Sequence, residues 1–275
     1  MMLINGNPGD CISAMDRGLQ YGDGLFESIA LQGGRLLLWQ RHMDRLRKGC
    51  DRLKIIMPDV DLLRDEAIHV CEENATGVLK LIVTRGVGGR GYIVPSVTGT
   101  RIEPTRVLAF YDWPDHPEKF SSDGISVRFC HTRLAENRRM AGIKHLNRLE
   151  QVLARNEWQD DQFQEGLMLS HHGDVIEGTM SNVFIVVDNV LYTPDLENCG
   201  VKGIMRELIM ELAVSMSIDV RESGISHQAV MAADEVFICN SIIGVWPVKR
   251  IQEKALQVGR VTRAVQKAVI EYREE

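Results

Sequence analysis

One long polar break separates strand-like segments near the middle of the chain. Between the apolar runs Val107 to Tyr111 and Ile125 to Phe129 lies DWPDHPEKFSSDG, which is rich in Pro, Asp and Ser and poor in aliphatic residues. Domain boundaries fall in such segments, and a chain of 275 residues is long enough for two joined cores. The break therefore predicts an N-terminal domain over 1–112, a linker over 113–122 and a C-terminal domain over 123–275.

The N-terminal part mixes the periodicities of strands and helices. Residues His42, Leu46, Cys50 and Leu53 recur at helical spacing, and they predict a helix over Trp39 to Leu53. This part therefore reads as a small α/β lobe. Its other predicted elements are strands at Met2 to Ile4, Ser28 to Leu31, Arg35 to Leu38 and Val78 to Val83, and a helix over Val60 to Glu73.

The C-terminal part carries apolar runs joined by turn residues. Gly173-Asp174 and Asp188-Asn189 are turn signals between such runs. They predict a larger, β-rich lobe of antiparallel structure with helices packed outside, and hence an α+β protein of two lobes. The strands are predicted at Gly166 to Leu169, Asn182 to Val187 and Val190 to Thr193.

Composition and charge exclude several classes of protein. With 32 basic and 38 acidic residues the formal net charge is -6, so no global attraction to nucleic acid or to an anionic membrane is expected. The N-terminal MMLINGNPGD lacks the pattern of a secretion signal, and the aliphatic runs are too short to span a bilayer. We therefore expect a cytoplasmic protein whose partner is a small molecule.

The cysteines and the paired histidines do not predict a metal site. The six cysteines are scattered without a CxxC pair, which indicates reduced thiols that are mostly small core residues. His171 and His172 precede a Gly-Asp turn, and neighbouring side chains on a strand would point to opposite faces. We interpret them as a solvated turn and expect no metal.

Lys144 is the first candidate for a catalytic residue. In AGIKHLNRLEQVL it stands ahead of a predicted helix whose apolar face is formed by Leu146, Leu149, Val152 and Leu153. A lysine that is partly desolvated at such a place has a nucleophilic amine, which Schiff-base formation with an aldehyde cofactor requires. Taken alone, a lysine near a helix start is far more often a solvated charge.

Two further segments supply complementary chemistry. Glu177 lies in a strand-like apolar run, DVIEGTMSNVF, where its carboxylate could hold a protonated pyridine nitrogen, although it could also be an outward-facing strand residue. Downstream, the segment from Gly200 to Arg206 opens a helical stretch that extends to about Met216. Free backbone N–H groups at a helix start bind phosphate. A lone glycine there is weak support, because glycine is common in any connection.

Together these segments resemble a known family. The motifs YGDGLFES, RHMDRL, TRGVGGRGY, AGIKHLNRLEQVL, VIEGTMSNVF, GVKGIMR and EVFICNSIIGVWPV stand in the order and at the spacing of the fold-type IV pyridoxal-phosphate enzymes, the class of branched-chain and D-amino-acid aminotransferases. The resemblance runs nearly from end to end. It implies pyridoxal 5'-phosphate as the cofactor, bound in a cleft between the two lobes, and a homodimer.

The resemblance also implies roles for individual residues. Lys144 would carry the cofactor and act as the proton-transfer base, Glu177 would face the pyridine nitrogen, and Arg45 would bind the phosphate. Substrate-facing positions of the D-amino-acid aminotransferases correspond to Arg90 and Tyr92, and a guanidinium suits a carboxylate. Further phosphate ligands would be the N–H groups of Gly203, Ile204 and Met205 and the hydroxyl of Ser241. Without the resemblance, Arg45 would be read as a surface charge, Ser241 as a buried turn residue and Arg90 as a solvated loop residue.

Within the class the chain looks most like the lyase branch. That likeness implies conversion of 4-amino-4-deoxychorismate to 4-aminobenzoate and pyruvate in folate biosynthesis. Branched-chain aminotransferases commonly place a tyrosine five residues after the catalytic lysine, whereas this chain has Leu149. Two alternatives stay open: a D-amino-acid or branched-chain-type aminotransferase of the same fold, and a paralogue that binds a ligand without turnover.

Overall fold

The computed structural model describes residues 1–94, 102–159 and 161–274. They divide into two compact units, which confirms the predicted two-lobed α+β class. The first unit is Met1–Pro114 with Ile143–Asn147, and the second is Asp115–Gly142 with Arg148–Glu275. The chain therefore enters the first unit a second time, at the segment that contains Lys144, which the predicted division over 1–112 and 123–275 does not include.

The segment predicted as a linker, 113–122, contains ordered structure. Its end forms a short helix of the second unit, Lys119–Ser122. There Phe120 packs edge-on against Trp246, with 5.2 Å between the ring centroids. His116 packs against the same Trp246 ring at 4.8 Å, and Arg263 and Gln266 donate to the Ser121 carbonyl oxygen. These long-range contacts fix the polar segment, and average composition does not reveal them.

The first unit contains a six-stranded antiparallel sheet in the order β2-β1-β6-β5-β3-β4. Its strands are β1 (Met2–Ile4), β2 (Asn7–Pro8), β3 (Gly24–Gln32), β4 (Arg35–Leu36), β5 (Thr76–Thr84) and β6 (Arg106–Tyr111). Its helices are α1 (Arg17–Tyr21), α2 (Trp39–Leu53) and α3 (Val60–Cys71).

The core of the first unit lies between the sheet and the apolar faces of α2 and α3. Leu46 and Cys50 of α2 are buried there with Leu63 of α3, as the helical spacing predicts. The longest pairing joins β3 to β5, from Gly24 opposite Thr84 to Gln32 opposite Thr76. At its beginning, β3 runs beside the segment that contains Lys144.

The second unit contains a nine-stranded sheet in the order β12-β11-β10-β13-β14-β7-β8-β9, with β15 paired to β14. Its strands are β7 (Ile125–Leu134), β8 (Glu165–Ser170), β9 (Val175–Gly178), β10 (Asn182–Val187), β11 (Val190–Pro194), β12 (Val220–Ser223), β13 (Glu235–Asn240), β14 (Gly244–Ile251) and β15 (Lys254–Ala255). Its helices are α4 (Lys119–Ser122), α5 (Leu149–Arg155), α6 (Ile204–Ser215), α7 (His227–Ala232) and α8 (Arg260–Glu274).

This sheet is mixed, which corrects the prediction of antiparallel structure. Strand β7 runs parallel to both β8 and β14, and β11 runs parallel to β12. Parallel neighbours require crossover connections rather than tight turns. Turn signals along the sequence identify only hairpins. They therefore did not predict the parallel strand pairs.

The predicted apolar face of α5 is wrong. Leu149, Val152 and Leu153 are 69%, 52% and 54% exposed, whereas Ala154 is fully buried and packs with Trp158. Leu146 lies outside the helix. Apolar spacing indicates that a helix has an apolar face, but it does not show which face packs against the core. In α5 the smallest side chain, that of Ala154, makes the close contact.

Among the described residues, no helix is long and apolar enough to cross a bilayer, and no group of three or more His, Cys, Asp or Glu residues could hold a metal ion. All six cysteines are free thiols, and every one except Cys11 is buried.

Candidate active site

Lys144 lies on an extended segment of the first unit that runs beside the beginning of β3. Phe26 donates its backbone N–H to the Lys144 carbonyl oxygen at 3.0 Å, and Leu146 donates to the Gly24 carbonyl oxygen at 3.0 Å. The side chain is half-buried, with Nζ 4.4 Å from the centroid of the Phe26 ring. Helix α5 begins only at Leu149, so Lys144 is held by strand-like hydrogen bonds and not at a helix start as predicted.

Arg45 lies on α2 in a forked pair with a buried carboxylate of β3. Its Nε donates to Glu27 Oε1 at 2.9 Å, and its Nη2 donates to Glu27 Oε2. His42, three residues earlier and hence on the same helix face, places Nδ1 2.7 Å from Glu27 Oε2. Glu27 is 1% exposed and His42 is fully buried. The guanidinium of Arg45 therefore has a fixed direction.

The protonation states in this trio follow from burial and from the neighbouring charges. Burial alone would raise the pKa of Glu27, but Arg45 and His42 lower the pKa of that carboxyl to about 2. An ionised carboxylate can only accept, so the proton of His42 is on Nδ1. Burial lowers the pKa of His42, and the charges of Arg45 and Lys144 act in the same direction. His42 is therefore a neutral donor that holds Glu27 in place without adding a charge.

Arg90 and Tyr92, the predicted substrate residues, lie in the loop that follows β5. Both side chains are exposed, that of Tyr92 by 87%. The backbone between them is held by the side chains of α1: Gly91 donates its N–H to Tyr21 Oη at 2.9 Å, and its carbonyl oxygen accepts from Arg17 Nη1 at 2.9 Å. The part of this loop over residues 95–101 lies outside the described residues.

Glu177 lies on β9 of the second unit and is 4% exposed. Its Oε2 accepts from the backbone N–H of Val201 at 2.8 Å, and Gln151 Nε2 lies 3.4 Å from its Oε1. Both of these neighbours are hydrogen-bond donors. Because the side chain is buried and hydrogen-bonded, the alternative of an outward-facing strand glutamate does not describe this residue.

The three residues Gly203, Ile204 and Met205 form the beginning of α6. Gly203 is the N-cap residue and makes no side-chain cap hydrogen bond. A Cβ atom at Gly203 would lie 1.9 Å from Asn182 Oδ1, so only glycine allows this close approach. The first N–H groups of an α-helix have no partner within the helix, and the start of α6 therefore has the character of an anion site.

Ser241 begins the turn after β13, and its neighbours fix that turn. The side chain of Asn240 accepts from the Ile242 N–H at 2.8 Å and donates to the Met180 carbonyl oxygen at 3.1 Å. Arg273 of α8 donates to the Ser241 carbonyl oxygen. Ser241 is partly accessible rather than a fully buried turn residue.

Asn182 connects the predicted residues of the second unit. It pairs with Cys239 near the end of β13, and its Nδ2 donates to the Val201 carbonyl oxygen at 2.9 Å. The acid Glu177, the start of α6 and the turn at Ser241 therefore meet at one end of the second sheet. Each predicted residue falls in one unit: Lys144, Arg45, Arg90 and Tyr92 in the first; Glu177, Gly203, Ile204, Met205 and Ser241 in the second.

Sequence reasoning missed the supporting residues Glu27, His42 and Asn182. A signal existed for His42, because it occupies an apolar helix face three residues before Arg45. Glu27 lies inside the motif YGDGLFES on a buried strand, where a glutamate requires a partner. No comparable signal identified Asn182.

The fold and these donor groups define a class, and comparison with known proteins identifies it. The description "Amino-transferase class IV" applies to the family that matches residues 24–251. The chain belongs to this family.

Two relatives in particular resemble the chain over nearly its whole length. Aminodeoxychorismate lyase of Vibrio harveyi is 34% identical over 270 residues, which is 97% of this chain and 98% of that one. The crystal structure of 4-amino-4-deoxychorismate lyase from Pseudomonas aeruginosa is 44% identical, covers 98% of both chains and superposes with a TM-score of 0.93.

Several aminotransferases are also similar to this chain. D-alanine aminotransferase of Listeria monocytogenes is 31% identical over 241 residues, 86% of this chain and 81% of that one. The branched-chain amino acid aminotransferase structure from Escherichia coli has a TM-score of 0.87 at 24% identity, covers 98% of this chain and 93% of that one, and shares the fold. These likenesses confirm the fold-type IV architecture predicted from the motifs.

Proposed function

We propose that this chain is a pyridoxal-phosphate-dependent lyase that converts 4-amino-4-deoxychorismate to 4-aminobenzoate and pyruvate, a step of folate biosynthesis. The main support for this proposal is the similarity of the chain to the Pseudomonas aeruginosa lyase, at 44% identity over 98% of both chains. The aminotransferase relatives are less similar, at 31% identity for the D-alanine enzyme.

The residues present fit this cofactor. Its phosphate needs N–H donors and a cation, which the start of α6 and Arg45 offer. The absence of a Cβ at Gly203 lets Asn182 pack against the start of α6, since a Cβ there would lie 1.9 Å from Asn182 Oδ1. Its pyridine nitrogen needs an ionised acid, and Glu177 is a buried carboxylate with donors beside it. Lys144 supplies the amine that holds the cofactor.

Each residue then has a defined task in the elimination. When bound, pyridoxal phosphate withdraws electrons from the substrate carbon that bears the amino group. With the substrate amine in its place on the cofactor, the freed amine of Lys144 would remove the proton from C4 of the substrate. The electron pair of that C–H bond forms a ring double bond as the C3–O bond breaks, and the enolpyruvyl group leaves as the enolate of pyruvate, which takes up one proton to become pyruvate. The ring is then aromatic, which makes the reaction effectively one-way.

Substrate binding requires cations in addition to Arg45. The substrate has two carboxylates, one on the ring and one on the enolpyruvyl arm. Arg90 is exposed on its loop and has a planar guanidinium that can make a forked pair with a carboxylate. We assign one carboxylate to Arg90, with Tyr92 beside it.

An aminotransferase is the second candidate, because D-alanine aminotransferase shares 31% identity and would use the same lysine, acid and arginine. The purified protein should be incubated with 4-amino-4-deoxychorismate and pyridoxal phosphate while 4-aminobenzoate is measured by chromatography. Alanine or leucine with 2-oxoglutarate forms the second arm. We expect 4-aminobenzoate to form much faster than any amino-group transfer.

Fast transfer without 4-aminobenzoate would replace the lyase with the aminotransferase. Absence of both reactions in the cofactor-loaded protein would leave a ligand-binding paralogue. We also propose that the chain acts as a cytoplasmic homodimer, as the class resemblance implies. Light scattering at micromolar concentration would contradict the homodimer by returning the mass of one chain.

A further inference from the structure

The loop that carries Arg90 and Tyr92 is fixed at the residue between them. Gly91 donates its N–H to Tyr21 Oη at 2.9 Å and accepts at its carbonyl oxygen from Arg17 Nη1 at 2.9 Å. Both backbone polar groups of one residue are thus bound by side chains of the same short helix. Gly91 has a φ of 98°, a backbone conformation in which residues other than glycine are strained.

The two side chains that bind Gly91 are themselves held. Arg17 is 3% exposed, and its Nε donates to Asp23 Oδ2 at 3.0 Å. Its guanidinium lies 4.8 Å from the centroid of the Tyr21 ring. Asp23 is in turn fixed by Arg85, whose Nε and Nη2 donate to the two carboxylate oxygens at 2.6 and 2.9 Å. The support beneath Gly91 is therefore buried and charged, and not a flexible surface contact.

The flanking residues differ from this support. Arg90 and Tyr92 carry exposed side chains on either side of this fixed backbone residue. The Tyr92 ring also meets the Tyr21 ring edge-on, with 5.6 Å between the centroids. A fixed backbone with accessible side chains is the arrangement expected of a preorganised binding loop, because the entropy of ordering the loop is lost on folding and not on binding.

We propose that Arg17 and Tyr21 are positioning residues that preorganise Arg90 for the substrate carboxylate. The proposal rests on the proposed function, in which Arg90 binds the substrate. Arg17 and Tyr21 touch neither cofactor nor substrate in this scheme. They act through Gly91, so their loss should weaken substrate binding while the chemical step and cofactor binding continue.

Tyr21→Phe tests this, because it removes the hydroxyl that accepts from Gly91 and keeps the ring that packs on Arg17 and Tyr92. We expect KM for 4-amino-4-deoxychorismate to rise about three- to tenfold, with kcat within about twofold of wild type. Cofactor absorbance should stay unchanged. Amide hydrogen exchange at Gly91, followed by mass spectrometry, should become faster. Tyr111→Phe, the same change at an exposed tyrosine of the first unit, should alter none of these.

The double variant Tyr21→Phe with Arg90→Ala decides whether Tyr21 acts through Arg90. We expect its KM to equal that of Arg90→Ala alone. A further rise by the same factor as in the wild-type background would overturn the proposal, as would wild-type KM and wild-type Gly91 exchange in Tyr21→Phe. If Arg90→Ala leaves KM unchanged, the assigned role of Arg90 fails. If it raises KM while Tyr21→Phe does not, only the positioning role fails.

Discussion

At the scale of single residues, two lysines lie near the Phe26 ring, but only one of them is proposed to have a chemical role. Lys144 Nζ lies 4.4 Å from the Phe26 ring centroid, and Lys80 Nζ lies 5.7 Å from it. Lys144 belongs to the segment paired with the start of β3, whereas Lys80 lies within β5. The two side chains thus share an environment but not a position in the proposed site.

Borohydride reduction should therefore attach the cofactor to Lys144 and to no other lysine. Peptide mass spectrometry of the reduced protein would locate the modification. We expect Lys144→Ala to lose both the attachment and turnover, whereas Lys80→Ala should keep both. A stable cofactor adduct with full turnover in Lys144→Ala would disprove the assignment.

The Glu27–His42–Arg45 trio predicts a specific loss of stability in acid. The pKa of Glu27 is about 2 in the folded chain, below its ordinary value of 4.5. The unfolded chain therefore binds the proton first on acidification, and the stabilisation, present above pH 4.5, is lost as the pH falls towards 2. The lowered pKa of His42 acts in the same direction below its ordinary value of 6.5.

We expect Glu27→Gln to be less stable than wild type at neutral pH, because it leaves Arg45 without its ionised partner. That deficit should shrink by about 1 kcal/mol or more between pH 6 and pH 3.5. Urea unfolding across this range would measure it, with the exposed Glu253→Gln as a control that shows no such trend. A deficit that is independent of pH would mean that Glu27 is not ionised in the folded protein.

At the scale of elements, the start of α6 combines a helix terminus with a position that only glycine can occupy. Replacing Gly203 with alanine would press a methyl group against Asn182, which is 6% exposed and bonded to Val201. The helix amides would then move relative to their neighbours. A phosphate bound there would lose donors.

Gly203→Ala should therefore weaken binding of pyridoxal phosphate by about tenfold, since each lost hydrogen bond to a charged group costs about 1.5–3 kcal/mol. Titration by absorbance or fluorescence would measure the affinity. Gly224→Ala is the matched control, because a Cβ there has nothing within 4 Å. Binding of pyridoxal, which lacks the phosphate, should change much less. Equal weakening for both ligands would indicate general damage and not a phosphate contact.

At the scale of the whole molecule, a ligand that binds only the folded chain must stabilise it. With pyridoxal phosphate at about 100 times its Kd the gain is about 2.7 kcal/mol, or roughly 5–10 °C in Tm for a chain of this size. We expect Tm to fall by this order when the cofactor is removed and to recover when it is added back. Differential scanning calorimetry measures both. Recovery with pyridoxal should be smaller, and a Tm that ignores the cofactor would argue against the proposed site.

Much of the fold could be predicted from local patterns. The predicted bounds of β1, α2 and β10 agree with the structure, because each has a clear periodicity between turn signals. Strands β3 and β7 extend beyond their predictions, to Gly24–Gln32 and Ile125–Leu134. Long-range pairing continues them through residues whose local pattern is ambiguous.

The sequence by itself determined the family, the cofactor chemistry and the identity of the candidate residues, because these depend on residue types in a fixed order. Tertiary structure alone decided which face of α5 is buried. It also decided that His42 holds Glu27, which in turn holds Arg45, and that side chains of α1 bind the backbone of Gly91. These features join residues far apart in the chain, such as Tyr21 and Gly91. Spacing along a sequence does not encode such contacts, since they arise only when separate elements pack together.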